Sequence, residues 1–97
     1  MTDRNAIHKL IKEELTEANK IHPPFNSPHE AYAVILEEWE EMIYELVGVR
    51  DALDYMWESI KDDDEESVFD AVTKASDYMI DALREAIQVS AMLEKAK

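Results

Sequence analysis

Residues 27–61 read SPHEAYAVILEEWEEMIYELVGVRDALDYMWESIK. Ser27-Pro28-His29-Glu30 is a helix start. Serine takes the N-cap, proline takes the first helical position where its missing N–H costs nothing, and glutamate takes the third. Behind it, Ala31, Tyr32, Ile35, Trp39, Met42, Ile43 and Leu46 recur at helical spacing. The stripe continues past Gly48 through Val49, Leu53, Met56, Trp57 and Ile60. One straight helix over 28–61 would be about 50 Å long at 1.5 Å per residue. A globule of this chain length has a radius of gyration of only about 12–13 Å. The helix therefore either breaks near Gly48 or projects into a partner subunit. Because glycine inside a helix costs ~1 kcal/mol, the reading taken is a break or kink there, with helices over 28–47 and 49–61.

Working outward, an earlier helix is expected from Thr2 or Asp3 to about Lys20, carried by Ala6, Ile7, Leu10, Ile11, Leu15 and Ala18. It stops before His22-Pro23-Pro24, because proline disfavours helical backbone in the residue before it and has no N–H. On the other side lies Asp62-Asp63-Asp64-Glu65-Glu66-Ser67. Its alternating acids suggest a calcium loop, but that loop needs glycine at its sixth position, where Ser67 stands. The run is therefore read as an acidic turn that caps the next helix, where negative charge is favourable. The last helix is expected over 67–95. Val68, Phe69, Val72, Ser76, Met79, Leu83, Ala86, Ile87 and Ser90 would form its buried face, widened by Ala75, Ala82 and Leu93. The expectation is a single all-α domain over 1–97: a bundle of four helices, completed by oligomerisation.

Composition agrees with that class and bounds the function. One glycine and three prolines leave few turns for a β-protein. A chain of 97 residues buries only about 60–65% of its unfolded surface. It has no cysteine, so neither a disulfide nor a thiolate metal site can add stability. A homodimer or higher homo-oligomer is the remaining common route. Net charge of −13 repels nucleic acid and anionic membrane surfaces. No apolar run reaches the ~18–20 residues of a membrane span, and polar Met1 to Asn5 opens no signal-peptide core. A cytoplasmic protein with no nucleic-acid or membrane partner is expected.

The acids are not scattered. Glu38 lies at the edge of the apolar stripe, Glu41 follows one turn on, and Glu45 one turn further. Glu37 and Glu40 point more towards solvent. Asp77, Asp81 and Glu85 stack similarly on the last helix, and Gln88 extends that column. Like charges at i,i+4 each destabilise an isolated helix by ~0.2–0.5 kcal/mol. Two such columns on two long helices can cage a divalent cation, since Mg²⁺ takes oxygen ligands and works through carboxylates plus substrate phosphates. With 23 acids in the chain, the same columns also serve as a solvated face. No histidine has a glutamate three residues before it, which argues against a di-iron carboxylate bundle.

The stretch from His29 to Glu41, ending Glu37-Glu38-Trp39-Glu40-Glu41, resembles the E-E-x-x-E motif helix of MazG-like nucleoside triphosphate pyrophosphohydrolases. Arg84-Glu85-Ala86-Ile87-Gln88 is similar to the second motif helix of small phage-type members, where the general pattern is E-x-x-D. The resemblance covers roughly residues 25–95. It implies that Glu38, Glu41 and Glu85 are metal ligands and that Glu37 is a further ligand or the catalytic base. Gln88 stands where the pattern has aspartate, which removes a charge, and Asp81, one turn earlier, can replace it as fourth ligand. The motifs are also further apart than in compact members, by the segment around Asp51 to Ser67.

The implied reaction is hydrolysis of a nucleoside triphosphate to monophosphate and pyrophosphate, with Mg²⁺ or Mn²⁺ as cofactor. The cation would bridge phosphate oxygens and activate a water, which Glu37 would orient or deprotonate. Phe25, Tyr32, Trp39, Tyr55 and Trp57 are candidates to stack on a base; Lys12, Lys20 and Arg84 are candidates to meet phosphates. The alternative is a non-enzymatic acidic helical interaction module, and a third reading is a regulator that mimics nucleic acid by its charge.

Overall fold

The computed structural model describes residues 3–97. They form three α-helices and no strand: α1 (Arg4–Ile21), α2 (Pro28–Lys61) and α3 (Glu65–Lys95). Asp3 caps α1, its carboxylate accepting from the Ala6 N–H at 2.9 Å; Thr2 lies outside the described residues. The helix ends at His22, whose backbone is extended, as the following proline requires. Ser27 caps α2 by accepting from the Glu30 N–H at 3.1 Å. The Glu30 carboxylate does not reach back to complete a capping box; it accepts from Asn26 Nδ2 at 3.1 Å instead.

The acidic turn is built from helix-end chemistry. The Asp64 N–H donates to the Ser59 carbonyl at 3.0 Å and the Asp63 N–H to the Ile60 carbonyl at 3.1 Å. Asp63 takes the left-handed backbone, with φ of 54°. These two bonds end α2 in a Schellman motif, with aspartate where glycine is usual. Asp64 then opens α3, its carboxylate accepting from the Ser67 hydroxyl at 2.7 Å and the Ser67 N–H at 3.1 Å. Those bonds, the hydroxyl first, hold the Asp64 carboxyl below the ordinary aspartate value.

The expected break at Gly48 does not occur. Helix α2 runs unbroken for 34 residues, so the described residues form three helices rather than four. The glycine serves packing. A Cβ there would lie 2.5 Å from Tyr78 Cδ1 and 2.7 Å from Tyr78 Cγ. Only a residue without a side chain admits the ring of α3 that close.

The chain forms two compact units, Glu41–Leu83 and Met1–Glu40 with Arg84–Lys97. The first is a hairpin of the later half of α2 and the earlier half of α3. Its buried residues are small: Ala52, Ser59, Ala71 and Ala82. The Ser59 hydroxyl is satisfied by the Tyr55 carbonyl at 2.9 Å. The second unit contains α1, the start of α2 and the end of α3, and buries Ala31, Val89 and Ala91.

The buried face expected on α3 needs correcting. Phe69, at 71% exposure, and Val72, Met79 and Leu83 are all exposed, as are Ile43, Leu46, Leu53, Trp57 and Ile60 on α2. Periodicity located an apolar face but not its partner. Small residues let the two backbones approach, and the large side chains are left on the outer side. Among the described residues no helix is long and apolar enough to cross a membrane.

Gly48→Ala tests the close approach. Alanine normally stabilises a helix over glycine by ~1 kcal/mol, but here overpacking against the Tyr78 ring should cost about 1–3 kcal/mol. Thermal unfolding should therefore show a net loss of stability. A gain would mean that α2 and α3 are not held this close.

Candidate metal centre

Helices α2 and α3 carry the candidate ligands, and helical spacing decides which point together. Glu38 and Glu41 are one turn apart on α2, so both project from one edge. Glu85 and Gln88 stand in the same relation on α3. In the unit that holds the start of α2 and the end of α3, the edge that carries Glu38 meets the edge that carries Glu85 and Gln88; Glu41 follows on α2 as the first residue of the other unit. The Gln88 carboxamide, oriented by the two acceptors it faces, donates from Nε2 to Glu38 Oε2 at 2.9 Å and to Glu85 Oε2 at 3.1 Å. Glu38 and Glu85 are half-buried and Glu41 is exposed; each offers one carboxylate oxygen within 4.8 Å of the others.

The donor set is all oxygen, which suits Mg²⁺ or Mn²⁺ over softer ions. Oxygens on opposite sides of Mg²⁺ are about 4.2 Å apart at bond lengths of 2.0–2.1 Å. Three ligands cannot all be opposite one another: at least two of the three pairs sit about 2.9 Å apart around an octahedral Mg²⁺. Carboxylates spread over up to 4.8 Å would therefore have to draw in around the cation or meet it partly through water. Turning the Gln88 carboxamide over would present its oxygen instead of its nitrogen. The departure from aspartate thus leaves a neutral group that can bridge two carboxylates by hydrogen bonds or offer one more oxygen.

Two expected residues stand apart from this cluster. Asp81 and Glu37 are exposed, and neither belongs to the close carboxylate group. Glu37 precedes Glu38 and so projects about 100° away around the helix. The three nominated basic residues are also elsewhere. Lys20 pairs with Glu17 at 2.9 Å, Lys12 lines a hollow on α1 with Lys9 and Thr16, and Arg84 is exposed.

A cavity of about 390 Å³ in the same unit is lined by Glu38 and Gln88. The end of α1 supplies Glu14, Glu17, Ala18 and Ile21; the loop supplies His22, Pro23 and Phe25; Glu30, Val34, Met92 and Lys95 complete the wall. Of the five aromatic candidates Phe25 alone lines it, with Lys95 Nζ 4.8 Å from its ring centroid. Lys95 has no sequence signal that separates it from other last-turn lysines, and the wall drawn from α1 comes wholly from tertiary packing.

Comparison with family models, with curated proteins and with solved structures finds no match.

Gln88→Glu should expose what the amide does. A further carboxylate beside Glu38 and Glu85 would face like charge in a half-buried site, so the metal-free protein should melt several degrees lower, given ~4–8 °C per kcal/mol at this size. Mn²⁺ should restore more of the loss than it adds to the wild type. Equal melting with and without the substitution would show that Gln88 does not hold the carboxylates together.

Proposed function

We propose that this chain is a Mg²⁺-dependent nucleoside triphosphate pyrophosphohydrolase that works as a homodimer. The observation that supports the chemistry is the convergence of Glu38 and Glu41 with Glu85, which is remote from them in sequence, beside Gln88 and a cavity of nucleoside size. A bound divalent cation would neutralise charge on the phosphate oxygens and make a water a better nucleophile at neutral pH. Glu38, Glu41 and Glu85 would hold it. Gln88 keeps Glu38 and Glu85 together before it arrives. No side-chain nucleophile is needed, in keeping with a chain that has no cysteine. Glu37 would orient the attacking water or accept its proton, from a position less direct than that of the three ligands.

The exposed apolar faces argue for the dimer. Ile43, Leu46, Leu53, Trp57 and Ile60 follow one another by three, seven, four and three residues, and Phe69, Val72, Met79 and Leu83 by three, seven and four. That is the seam spacing of helices that pack knobs into holes. A folded monomer of 11.2 kDa exposes about 5,700 Å², whereas this protomer exposes 7490 Å². The excess is about twice the ~800 Å² per partner of a standard interface. A second copy presents the same two seams, and a two-fold axis would set them against each other in an isologous interface.

Two measurements test the reading. With Mg²⁺ and a panel of nucleoside triphosphates, the wild type should release monophosphate and pyrophosphate, and Glu41→Gln should lower turnover at least about a hundredfold while keeping the helical circular dichroism spectrum. No turnover and no metal-dependent change would favour the non-enzymatic module. In sedimentation at micromolar concentration the wild type should run as a dimer and Leu53→Glu should shift it towards monomer. A wild type that stays monomeric at every concentration contradicts the assembly.

A further inference from the structure

The cavity beside the carboxylate cluster carries more than a location. Its walls are Ala18, Ile21, Pro23, Phe25, Val34 and Met92, and its charged lining is four glutamates against the single ammonium of Lys95. A polyphosphate has no reason to enter such a space without cations, but an uncharged planar ring does. The apolar walls and the Phe25 face offer it stacking and dispersion, and a volume of about 390 Å³ is within the range that small-molecule sites use.

The four carboxylates are not equivalent. Glu17 is engaged by Lys20, Glu30 by Asn26, and Glu38 by Gln88. Glu14 is half-buried on α1 and lines the cavity without a hydrogen bond or ion pair to any described residue. An ionised carboxylate is an acceptor only. It can be matched by a ring edge that carries N–H donors, and it repels an edge that presents carbonyl oxygens. Guanine offers a ring N–H beside an amino group, a two-point match to one carboxylate. Adenine and cytosine each offer an amino group. Uracil and thymine offer one ring N–H between two carbonyls.

We propose that this cavity is the base subsite of the triphosphate and that Glu14 reads it, selecting an amino-bearing base, guanine first, over uracil or thymine. The assignment rests on the hydrolase reading for the triphosphate, but the base recognition needs neither metal nor turnover. It follows that the α1 end and the Pro23–Phe25 segment set which nucleotide is taken, while the carboxylate cluster acts on its phosphates.

The test uses nucleosides, which carry no phosphate. Guanosine, cytidine and uridine are titrated into the full metal-free protein, followed by the methyl resonances of Ile21, Val34 and Met92. Guanosine should bind on the order of tenfold more tightly than uridine, the scale of one good two-point hydrogen-bond match. Glu14→Gln should remove most of that preference, and Phe25→Ala should weaken every nucleoside alike with the preference kept. Equal binding of uridine and guanosine, an unchanged preference in Glu14→Gln, or no nucleoside binding at all would overturn the proposal. Selective guanosine binding by a protein that turns over no triphosphate would uphold the base subsite and refute the hydrolase. Turnover of all triphosphates alike would do the reverse.

Discussion

Along the hairpin of residues 41–83, helices α2 and α3 approach so closely that a methyl group at Gly48 would meet the Tyr78 ring at 2.5 Å. Ala52, Ser59, Ala71 and Ala82 are what that approach buries. Close backbones gain dispersion along a narrow strip, but the strip removes little apolar area from water. The large residues of both helices therefore stay outside, and the stability of one protomer alone has to be modest. The same economy of side chains leaves a face that is apolar, long and regular. A second copy, the proposed partner, would present a face of the same spacing to it.

The other unit puts packing to a different use. There the edge of α2 that carries Glu38 meets the edge of α3 that carries Glu85 and Gln88. Two half-buried carboxylates at close range repel each other, and a shared amide donor answers part of that cost without adding charge. An aspartate at the same place would have added another repelling group. A neutral amide with both a donor and an acceptor end would suit such a site with or without the proposed cation. The cavity next to it joins apolar walls to an unpaired carboxylate at Glu14. Under the proposed function it would favour an uncharged ring with donor groups and leave phosphates to the carboxylate cluster and its cation. Binding and chemistry would then be handled by different elements: α1 and its following loop for the one, α2 and α3 for the other.

Much of this was legible in the sequence. Apolar spacing and the scarcity of glycine and proline determined an all-α chain. Asp3, Ser27 and the acidic turn before Ser67 marked the three helix starts, because caps are local chemistry that a few adjacent residues decide. The one-turn spacings of Glu38 with Glu41 and of Glu85 with Gln88 were equally local. Three things were decided only by tertiary structure. Gly48 read as a break because propensity prices glycine without knowing what lies across from it; the Tyr78 ring turns it into a packing device inside an unbroken helix. The large apolar stripes read as the buried face because periodicity finds a face and not its partner; small residues took the close contact instead. The meeting of Glu38 with Glu85 and Gln88, and the cavity that α1 closes over them, depend on which helix edges pack together, a choice made by side-chain fit between segments about fifty residues apart.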